Sequence, residues 1–264
     1  MLATHAVTRA GTRLVSLRVL AAQAGTGAML GYVIRSCLKP IMSWETLWFF
    51  EREISATSLR ENRARIPLEV CLAEPEQVRR LQDFLPQRGR WSEAVQARLA
   101  RGDRCFIGLS DGRPVHFSWL AGAGTTHWIS EISATLRVAP GEMYLYDSFT
   151  DEAVRGKGVL PAVMSFVQRY EHRQGHRRHI FYVSRDNFSS RNTLGKSTGM
   201  LPIRKRTVRC FRFAGVKHVL IAGVDGPGSP RLEPVGARVR SLGRLGYWVR
   251  PRPAAGRNPR SWAS

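Results

Sequence analysis

The fold of this 264-residue chain is indicated most clearly by the stretch TDEAVRGKGV at residues 150–159. It follows residues 142–149, where Tyr144 and Tyr146 sit at alternate positions with Leu145 between them, as expected for a β-strand. It leads into residues 158–173, which we predict to be a helix. The sequence therefore predicts a strand, a turn with two glycines and a helix, in that order.

Such a turn is suited to holding an anion. Glycine lets the backbone approach an oxygen-rich group closely, and the first N–H groups of a helix have no partner within the helix. Arg155 and Lys157 add positive charge beside Gly156 and Gly158. The alternative interpretation is a tight turn without a ligand.

The surrounding segments alternate between strand-like and helix-like patterns. Helices are predicted at 75–85, 91–101 and 189–197, the first with Pro75 in its first turn. Strands are predicted at 67–72, 104–109, 115–120, 129–138, 179–184, 206–214 and 217–222. This order predicts a mixed α/β (α+β) fold without an internal repeat.

A second stretch, NFSSRNTLGKSTGM at residues 187–200, follows the predicted strand 179–184. Together the two stretches resemble the GCN5-related N-acetyltransferase (GNAT) superfamily. The first matches that family's Arg/Gln-x-x-Gly-x-Gly/Ala motif at Arg155 and Gly158. The second matches its Asn-x-x-Ser…Lys-x-Gly-Phe element at Asn187, Ser190, Lys196 and Gly199, with Met200 in the place of Phe.

The resemblance covers about residues 66–223 and implies a mixed, mostly antiparallel sheet, flanked by helices, that splays open after its fourth strand. Acetyl-CoA, the acyl donor, would lie in that opening. Its binding residues would be the following: Ser148, Phe149 and Thr150 along the pantetheine arm, Arg155, Gly156, Lys157, Gly158, Val159 and Leu160 at the pyrophosphate, and Asn187 and Ser190 on the facing side.

Two positions depart from the family pattern. Leu160 replaces a usual Gly or Ala, and Gly195 stands where the family often has a Tyr that protonates the departing thiolate. The second departure favours an acid from elsewhere, such as water, Tyr146 or Tyr182. It also keeps open a non-catalytic, acyl-CoA-binding GNAT-like module.

The resemblance implies an N-acyltransferase, most simply an acetyltransferase, in which an amine attacks the thioester directly in a ternary complex. Candidate general bases are Asp147 and Glu131, with Glu142 less favoured. The turn sequence also resembles transferases found with bacterial cell-surface polysaccharide synthesis. A basic protein suggests a small-molecule acceptor with compensating negative groups, such as an amino-sugar nucleotide or an acidic metabolite.

The net charge of +21 raises the alternative of a nucleic-acid binder or an anionic-membrane adaptor. However, 36 of the cations are Arg and only 5 are Lys, whereas phosphate-binding surfaces usually use both. We therefore expect no specific nucleic-acid partner. No run of 18 apolar residues occurs, so no transmembrane segment is expected.

The cysteines, at positions 37, 71, 105 and 210, are far apart in sequence, which argues against a zinc ribbon. Reduced thiols in a bacterial cytoplasm are the expectation. His172, His176 and His179 have metal-like spacing, but Gly175 and several arginines intervene, so no metal is expected.

Three zones differ in composition. Residues 1–65 are basic and are predicted to be helical, since Trp44, Leu47, Trp48, Phe50 and Ile54 form a stripe after a candidate N-cap at Ser43. We expect this zone to pack on the domain at 66–223 or to form a homodimer. Residues 224–264 are rich in Arg, Pro and Gly, which predicts a flexible, mostly disordered tail.

Overall fold

The computed structural model describes residues 26–27, 30–31, 33–34, 42–59, 61–84, 91–187, 190–191, 203–213, 215–223, 231–236, 238–242 and 246–250. The helices with both ends among these residues are α1 (Pro75–Phe84), α2 (Trp91–Ala100) and α3 (Val159–Arg173), with a short 3-10 helix at Glu152–Val154. The strands are β1 (Met42–Glu53), β2 (Glu69–Leu72), β3 (Arg104–Ser110), β4 (Arg113–Ala121), β5 (Thr126–Ile129), β6 (Ala134–Arg137), β7 (Glu142–Thr150), β8 (Arg178–Ser184), β9 (Ile203–Phe213), β10 (Val216–Gly223), β11 (Arg231–Pro234), β12 (Arg238–Ser241) and β13 (Gly246–Arg250).

Ten strands form one large sheet in the order β12-β13-β10-β9-β1-β8-β7-β4-β3-β2. Within it, β7 and β8 are parallel, and the other recorded pairs are antiparallel. Strands β11, β6 and β5 form a second sheet of three strands. The mixed, mostly antiparallel sheet that the resemblance implied is confirmed.

The helices cover opposite faces of the large sheet. Helix α3 packs through Val159, Val163 and Val167, which recur every four residues on one side, as an amphipathic helix requires. Helices α1 and α2 contribute Val78 and Val95 to the core on the other face. The segment joining β7 to α3 lies at the edge of this layered core and forms the predicted turn.

The prediction that residues 43–54 are helical is wrong. Residues 43–53 lie in β1, which pairs with β8 on one side and β9 on the other, and Ile54 directly follows that strand. Leu47 and Phe49 alternate into the core, and the register shifts between Phe49 and Phe50. A central strand is covered on both faces of the sheet, so apolar residues occur at even and odd positions alike. The resulting pattern resembles the apolar spacing of a helix.

Of the residues before β1, the structure describes 26–27, 30–31 and 33–34, and these are helical. Strand β1 has its two sheet neighbours within its own chain. The homodimer and the domain boundary at residue 65 stay predictions.

The predicted disorder after residue 224 is wrong for the residues that form β11, β12 and β13. Strand β13 pairs with β10, and its Tyr247 and Val249 are buried. The Tyr247 hydroxyl donates to the Ile132 carbonyl at 2.8 Å. High Arg and Gly content predicted disorder because it lowers the mean hydropathy, but two buried side chains on one short strand are enough to anchor this segment.

The stretch 129–138, predicted as extended, is divided between β5 and β6, with a turn at Ser130–Ser133 between them. In the described part of the chain, no helix has the length and apolar character needed to cross a membrane.

Candidate functional site: an opening between two parallel strands

The large sheet opens between β7 and β8. These strands pair only from Glu142 to Tyr144 on β7, opposite residues 178–180 on β8. Beyond Tyr144, β7 continues along β4, whereas β8 continues along β1. The two strands therefore separate, as the resemblance implied, and residues 145–150 form one side of the opening.

A bulge redirects β7 inside this opening. The β4–β7 register shifts between Phe117 and Trp119, opposite Phe149 and Tyr146. Asp147 occupies the bulge with φ = 44°, in the left-handed region that non-glycine residues rarely adopt. The bulge turns the strand edge at residues 148–150 relative to the part of β7 that pairs with β8.

The glycine turn follows immediately. Gly156 and Gly158 have φ = 78° and φ = 80°, a conformation for which glycine carries no steric penalty. Gly158 is the N-cap residue of α3, and the first recorded helical hydrogen bond runs from the Ala162 N–H to its carbonyl at 3.2 Å. The N–H groups of Val159 and Leu160 precede that bond, and Pro161 has none, so the helix itself supplies no acceptor for these two N–H groups.

Three cationic side chains, those of Arg155, Lys157 and Arg65, lie on or beside this turn. Arg155 donates to the Thr150 carbonyl at 3.1 Å and pairs with Glu152 at 3.0 Å. Lys157 is exposed. Arg65 donates through its guanidinium to the Gly156 carbonyl and through its backbone N–H to the Lys157 carbonyl.

Arg63 lies beside the turn through its backbone, since its carbonyl oxygen lies 3.4 Å from where a Cβ on Gly158 would be. Its guanidinium is exposed and lies 3.6 Å from the Glu61 carboxylate. Sequence reasoning missed Arg63 and Arg65 because it ended the N-terminal zone at residue 65. Two arginines a few residues before a predicted strand match no sequence motif that would assign them to a binding site.

Ser148 and Thr150 enter a chain of hydrogen bonds with β4. The Thr150 Oγ1 lies 2.8 Å from His116 Nδ1, and His116 Nε2 lies 2.8 Å from Ser118 Oγ. Ser118 then donates to Ser148 Oγ at 2.8 Å. Burial lowers the pKa of His116 to about 3, so this ring is neutral.

Tyr146 and Glu131 lie on the sheet face that also carries α2. The Tyr146 hydroxyl donates to Asp103 Oδ2 at 2.7 Å. Burial is the main cause that raises the pKa of Tyr146, and the Asp103 carboxylate adds to it. The Tyr182 hydroxyl reaches Glu131 Oε1 at 3.5 Å, and burial and this carboxylate raise the pKa of Tyr182.

Asp147 does not stand alone in the opening. Its Oδ2 lies 2.7 Å from Arg98 Nη1, and both side chains are largely buried. The Arg98 guanidinium also lies over the rings of Trp119 and Tyr146. The structure therefore places the predicted base Asp147 in an ion pair that joins β7 to α2.

Glu142, the less favoured base, is buried at the start of β7. Its carboxylate accepts from the Ala139 N–H at 2.8 Å and pairs with Arg178 at 3.2 Å. These partners hold Glu142 at the end of β7 that pairs with β8, away from residues 145–150, which form one side of the opening.

Asn187 follows β8, on the facing side of the opening. Its N–H donates to the Ser184 carbonyl at 3.0 Å, and its Oδ1 accepts from the Ser190 N–H at 3.1 Å. Asn187 thus caps the helical residues 190–191. Gly195, Lys196, Gly199 and Met200 lie outside the described residues.

The three candidate metal ligands have separate partners. His176 lies 3.1 Å from Glu171, and the buried His179 lies 3.1 Å from Gln168. His172 is near Arg177. Across the residues that the structure describes, no group of three or more His, Cys, Asp or Glu side chains could hold a metal ion.

No protein-family model and no curated protein matches the sequence. Solved structures similar to the chain are mostly acetyltransferases. A GCN5-related N-acetyltransferase from Sphaerobacter thermophilus is 11% identical with a TM-score of 0.45, over 68% of this chain and 55% of that one. A functionally unknown conserved protein from Staphylococcus epidermidis ATCC 12228 is 11% identical with a TM-score of 0.41, over 68% and 65%.

The RimL ribosomal L7/L12 alpha-N-protein acetyltransferase is 16% identical with a TM-score of 0.37, over 52% of this chain and 78% of that one. The chain spans less than two thirds of the length of the Sphaerobacter and Staphylococcus epidermidis proteins. At these identities the likeness concerns the fold alone.

Proposed function

We propose that this chain is an acyl-CoA-dependent N-acyltransferase that transfers an acetyl group to an amine of a small molecule or amino sugar. One observation carries the proposal. The opening between β7 and β8 leads, along the edge at Ser148–Thr150, directly to a glycine turn at the N-terminus of α3.

The turn fits the diphosphate of an acyl-CoA. Helix N-terminal N–H groups carry partial positive charge, and anions bind there readily. A Cβ on Gly156 would meet no atom within 4 Å, so the turn is open on that side. Lys157, Arg65 and Arg155 supply the charge to neutralise phosphate oxygens.

The donor supplies an activated acyl thioester. The chain's own part is to hold the two substrates together and to remove a proton from the attacking amine. Burial is the main cause that raises the pKa of Cys71, Cys105 and Cys210, so these thiols are poor nucleophiles at neutral pH. This supports direct attack in a ternary complex.

Glu131 is the better supported of the two candidate bases. Asp147 already has a guanidinium at 2.7 Å, which commits one of its oxygens. The recorded hydrogen bonds to the Glu131 side chain come from hydroxyl groups, those of Tyr182 and Ser130. Hydroxyl groups can pass a proton to a carboxylate, whereas a guanidinium does not release one in proteins.

The acceptor in this proposal carries negative charge. The net charge of +21 attracts anionic small molecules, and the basic side chains around the turn extend that field over the mouth of the opening. A bacterial cytoplasm, in which the cysteines stay reduced, is the proposed setting.

Calorimetric titration with acetyl-CoA, followed by an acceptor screen, tests the proposal. The screen should compare amines that differ only in a phosphate or carboxylate group. Turnover of an anionic amine supports the proposal. Failure to bind acetyl-CoA would contradict it.

A non-catalytic acyl-CoA-binding module is the second candidate. It is favoured by the hydrogen bonds of Tyr146 and Tyr182, whose hydroxyls point to carboxylates. Acetyl-CoA binding without turnover across the amine series would identify this alternative.

A further inference from the structure

The hydrogen-bonded chain formed by Thr150, His116, Ser118 and Ser148 runs from the protein interior to the opening. His116 and Ser118 are buried, with 0% and 1% exposure, whereas Ser148 is exposed. The chain lies on the α3 side of the sheet, because a Cβ on Gly108 would meet both His116 and Val163 of α3. Polar groups are buried at such a site only when they are hydrogen-bonded.

The direction of each of these hydrogen bonds follows from the one between Ser118 and Ser148, in which Ser118 is the donor. Ser118 donates its proton to Ser148, so the Ser118 oxygen accepts from His116 Nε2–H. Because the buried ring is neutral, it has one proton, and His116 Nδ1 is an acceptor. Thr150 must then donate to Nδ1. Every donor in the chain points toward Ser148.

This direction determines what Ser148 can offer. A free serine hydroxyl rotates and serves as donor or acceptor. Here the Ser148 oxygen accepts a hydrogen bond from Ser118, so the Ser148 proton is left for a partner other than these four residues. Successive hydrogen bonds also polarise one another and make the last donor stronger.

The position of Ser148 determines what that partner can be. It follows the bulge at Asp147 and lies beyond Tyr144, the last β7 residue paired with β8. The exposed hydroxyl therefore lies on the edge along which the arm of an acyl-CoA would run. That arm carries carbonyl oxygens in two amides and in the thioester, and each accepts hydrogen bonds but donates none.

We propose that Ser148 is a positioning residue whose hydroxyl, oriented by Ser118, His116 and Thr150, donates a hydrogen bond to a carbonyl oxygen of the acyl donor. This inference rests on the proposed function. Ser148 donates a hydrogen bond and does not deliver a proton.

Calorimetric titration with acetyl-CoA and with CoA tests this role in Ser148→Ala, Ser148→Thr and the control Ser110→Ala, at the end of β3. Loss of one such hydrogen bond should weaken acetyl-CoA binding about three- to tenfold in Ser148→Ala. Ser148→Thr keeps the hydroxyl and should restore affinity, and Ser110→Ala should match the unaltered protein.

The two ligands identify the carbonyl. A loss with acetyl-CoA alone assigns the thioester oxygen, and an equal loss with CoA assigns an amide of the arm. Unchanged affinity in a folded Ser148→Ala variant overturns the inference and leaves the proposed function intact. If the unaltered protein binds neither ligand, both are overturned.

Nitrogen-15 NMR of the His116 ring tests the direction of the chain without any ligand. The proposed direction of the hydrogen bonds requires that His116 Nε2 carry a proton and that Nδ1 carry none at neutral pH. A proton on Nδ1 would overturn the inference, because Ser118 would then donate to the ring and not to Ser148.

Discussion

The hydroxyl of Tyr146 is hydrogen-bonded to the carboxylate of Asp103, with an Oη–Oδ2 distance of 2.7 Å. Asp103 also pairs with Arg101 at 2.7 Å, and its side chain is 1% exposed. Both partners stabilise this buried carboxylate, because burying a charged group is unfavourable unless it is paired and hydrogen-bonded. Tyr146 therefore serves first as a structural partner on this face of the sheet.

Replacing Tyr146 by Phe should lower stability more than it lowers turnover. The variant removes one of the two donors to Asp103 Oδ2 and leaves Arg101 as the other, which should reduce the free energy of unfolding by about 1–3 kcal/mol. Urea unfolding and steady-state rates measure the two effects, with Tyr170→Phe on α3 as the control. A Tyr146→Phe protein of normal stability that has lost a steep alkaline limb of its rate profile would identify Tyr146 as the acid.

Two buried histidines, His116 and His179, and the half-buried His127 should make the protein acid-sensitive. Burial lowers the pKa of His116, His127 and His179 to about 3, with nearby arginines adding to the effect at His127 and His179. The unfolded chain takes up protons near the ordinary value of 6.5, and the folded chain does not. Their stabilisation is therefore complete above pH 6.5 and is lost as the pH falls toward 3.

The expected slope is up to about 1.4 kcal/mol per pH unit for each histidine. Urea unfolding between pH 7 and pH 4 measures it. His179→Gln should remove about one third of the histidine contribution, and His218→Gln, at an exposed position on β10, should leave the slope unchanged. Equal slopes in the two variants would contradict the assignment.

Strand β1 should be indispensable for folding. It lies between β8 and β9 in the middle of the sheet, and Phe49 is 0% exposed. Phe49→Ala should cost about 3–5 kcal/mol, whereas Thr57→Ala, at an exposed position, should be nearly neutral. Calorimetric unfolding compares them. A chain that starts at Arg65 and still unfolds cooperatively would contradict this role of β1.

The paired strands β12 and β13 should resist proteolysis. On β13, Tyr247 and Val249 pack into the core, and the Tyr247 hydroxyl donates a hydrogen bond to the Ile132 carbonyl. Limited trypsin digestion should therefore spare Arg238 and Arg240, and truncation at residue 224 should lower the melting temperature. Rapid cleavage at these arginines in the native protein would show that β12 and β13 contribute little.

The local chemistry of the turn could be predicted from the sequence. The strand at 142–149 and the helix at 158–173 match β7 and α3 to within one residue at each end. Both depend on local signals, namely alternation of side chains and glycines at positive φ, that require no knowledge of distant residues.

Features set by distant contacts could not be predicted. The apolar stripe of Leu47 and Trp48 fits a helix and a central strand equally well, and only its neighbours β8 and β9 decide between them. The link from His116 to Ser148 depends on the β4–β7 register, which the bulge at Asp147 shifts. A one-residue change in register would place these side chains on opposite faces.

The glycine turn is central to the proposed binding of an acyl-CoA. Asp at Gly158 would bring a negative charge to the proposed diphosphate site, and its Cβ would lie 3.4 Å from the Arg63 carbonyl. We expect at least about a tenfold loss of acetyl-CoA affinity. Gly158→Ala separates the charge from the backbone strain, which both variants share at φ = 80°.

Calorimetric titration of acetyl-CoA into the unaltered protein, Gly158→Asp and Gly175→Asp is the most direct measurement. Gly175 also has positive φ and open space around it, but it lies at the other end of α3. The account predicts one site per chain, weakened in Gly158→Asp and retained in Gly175→Asp. Equal binding by both folded variants, or no binding by the unaltered protein, would contradict it.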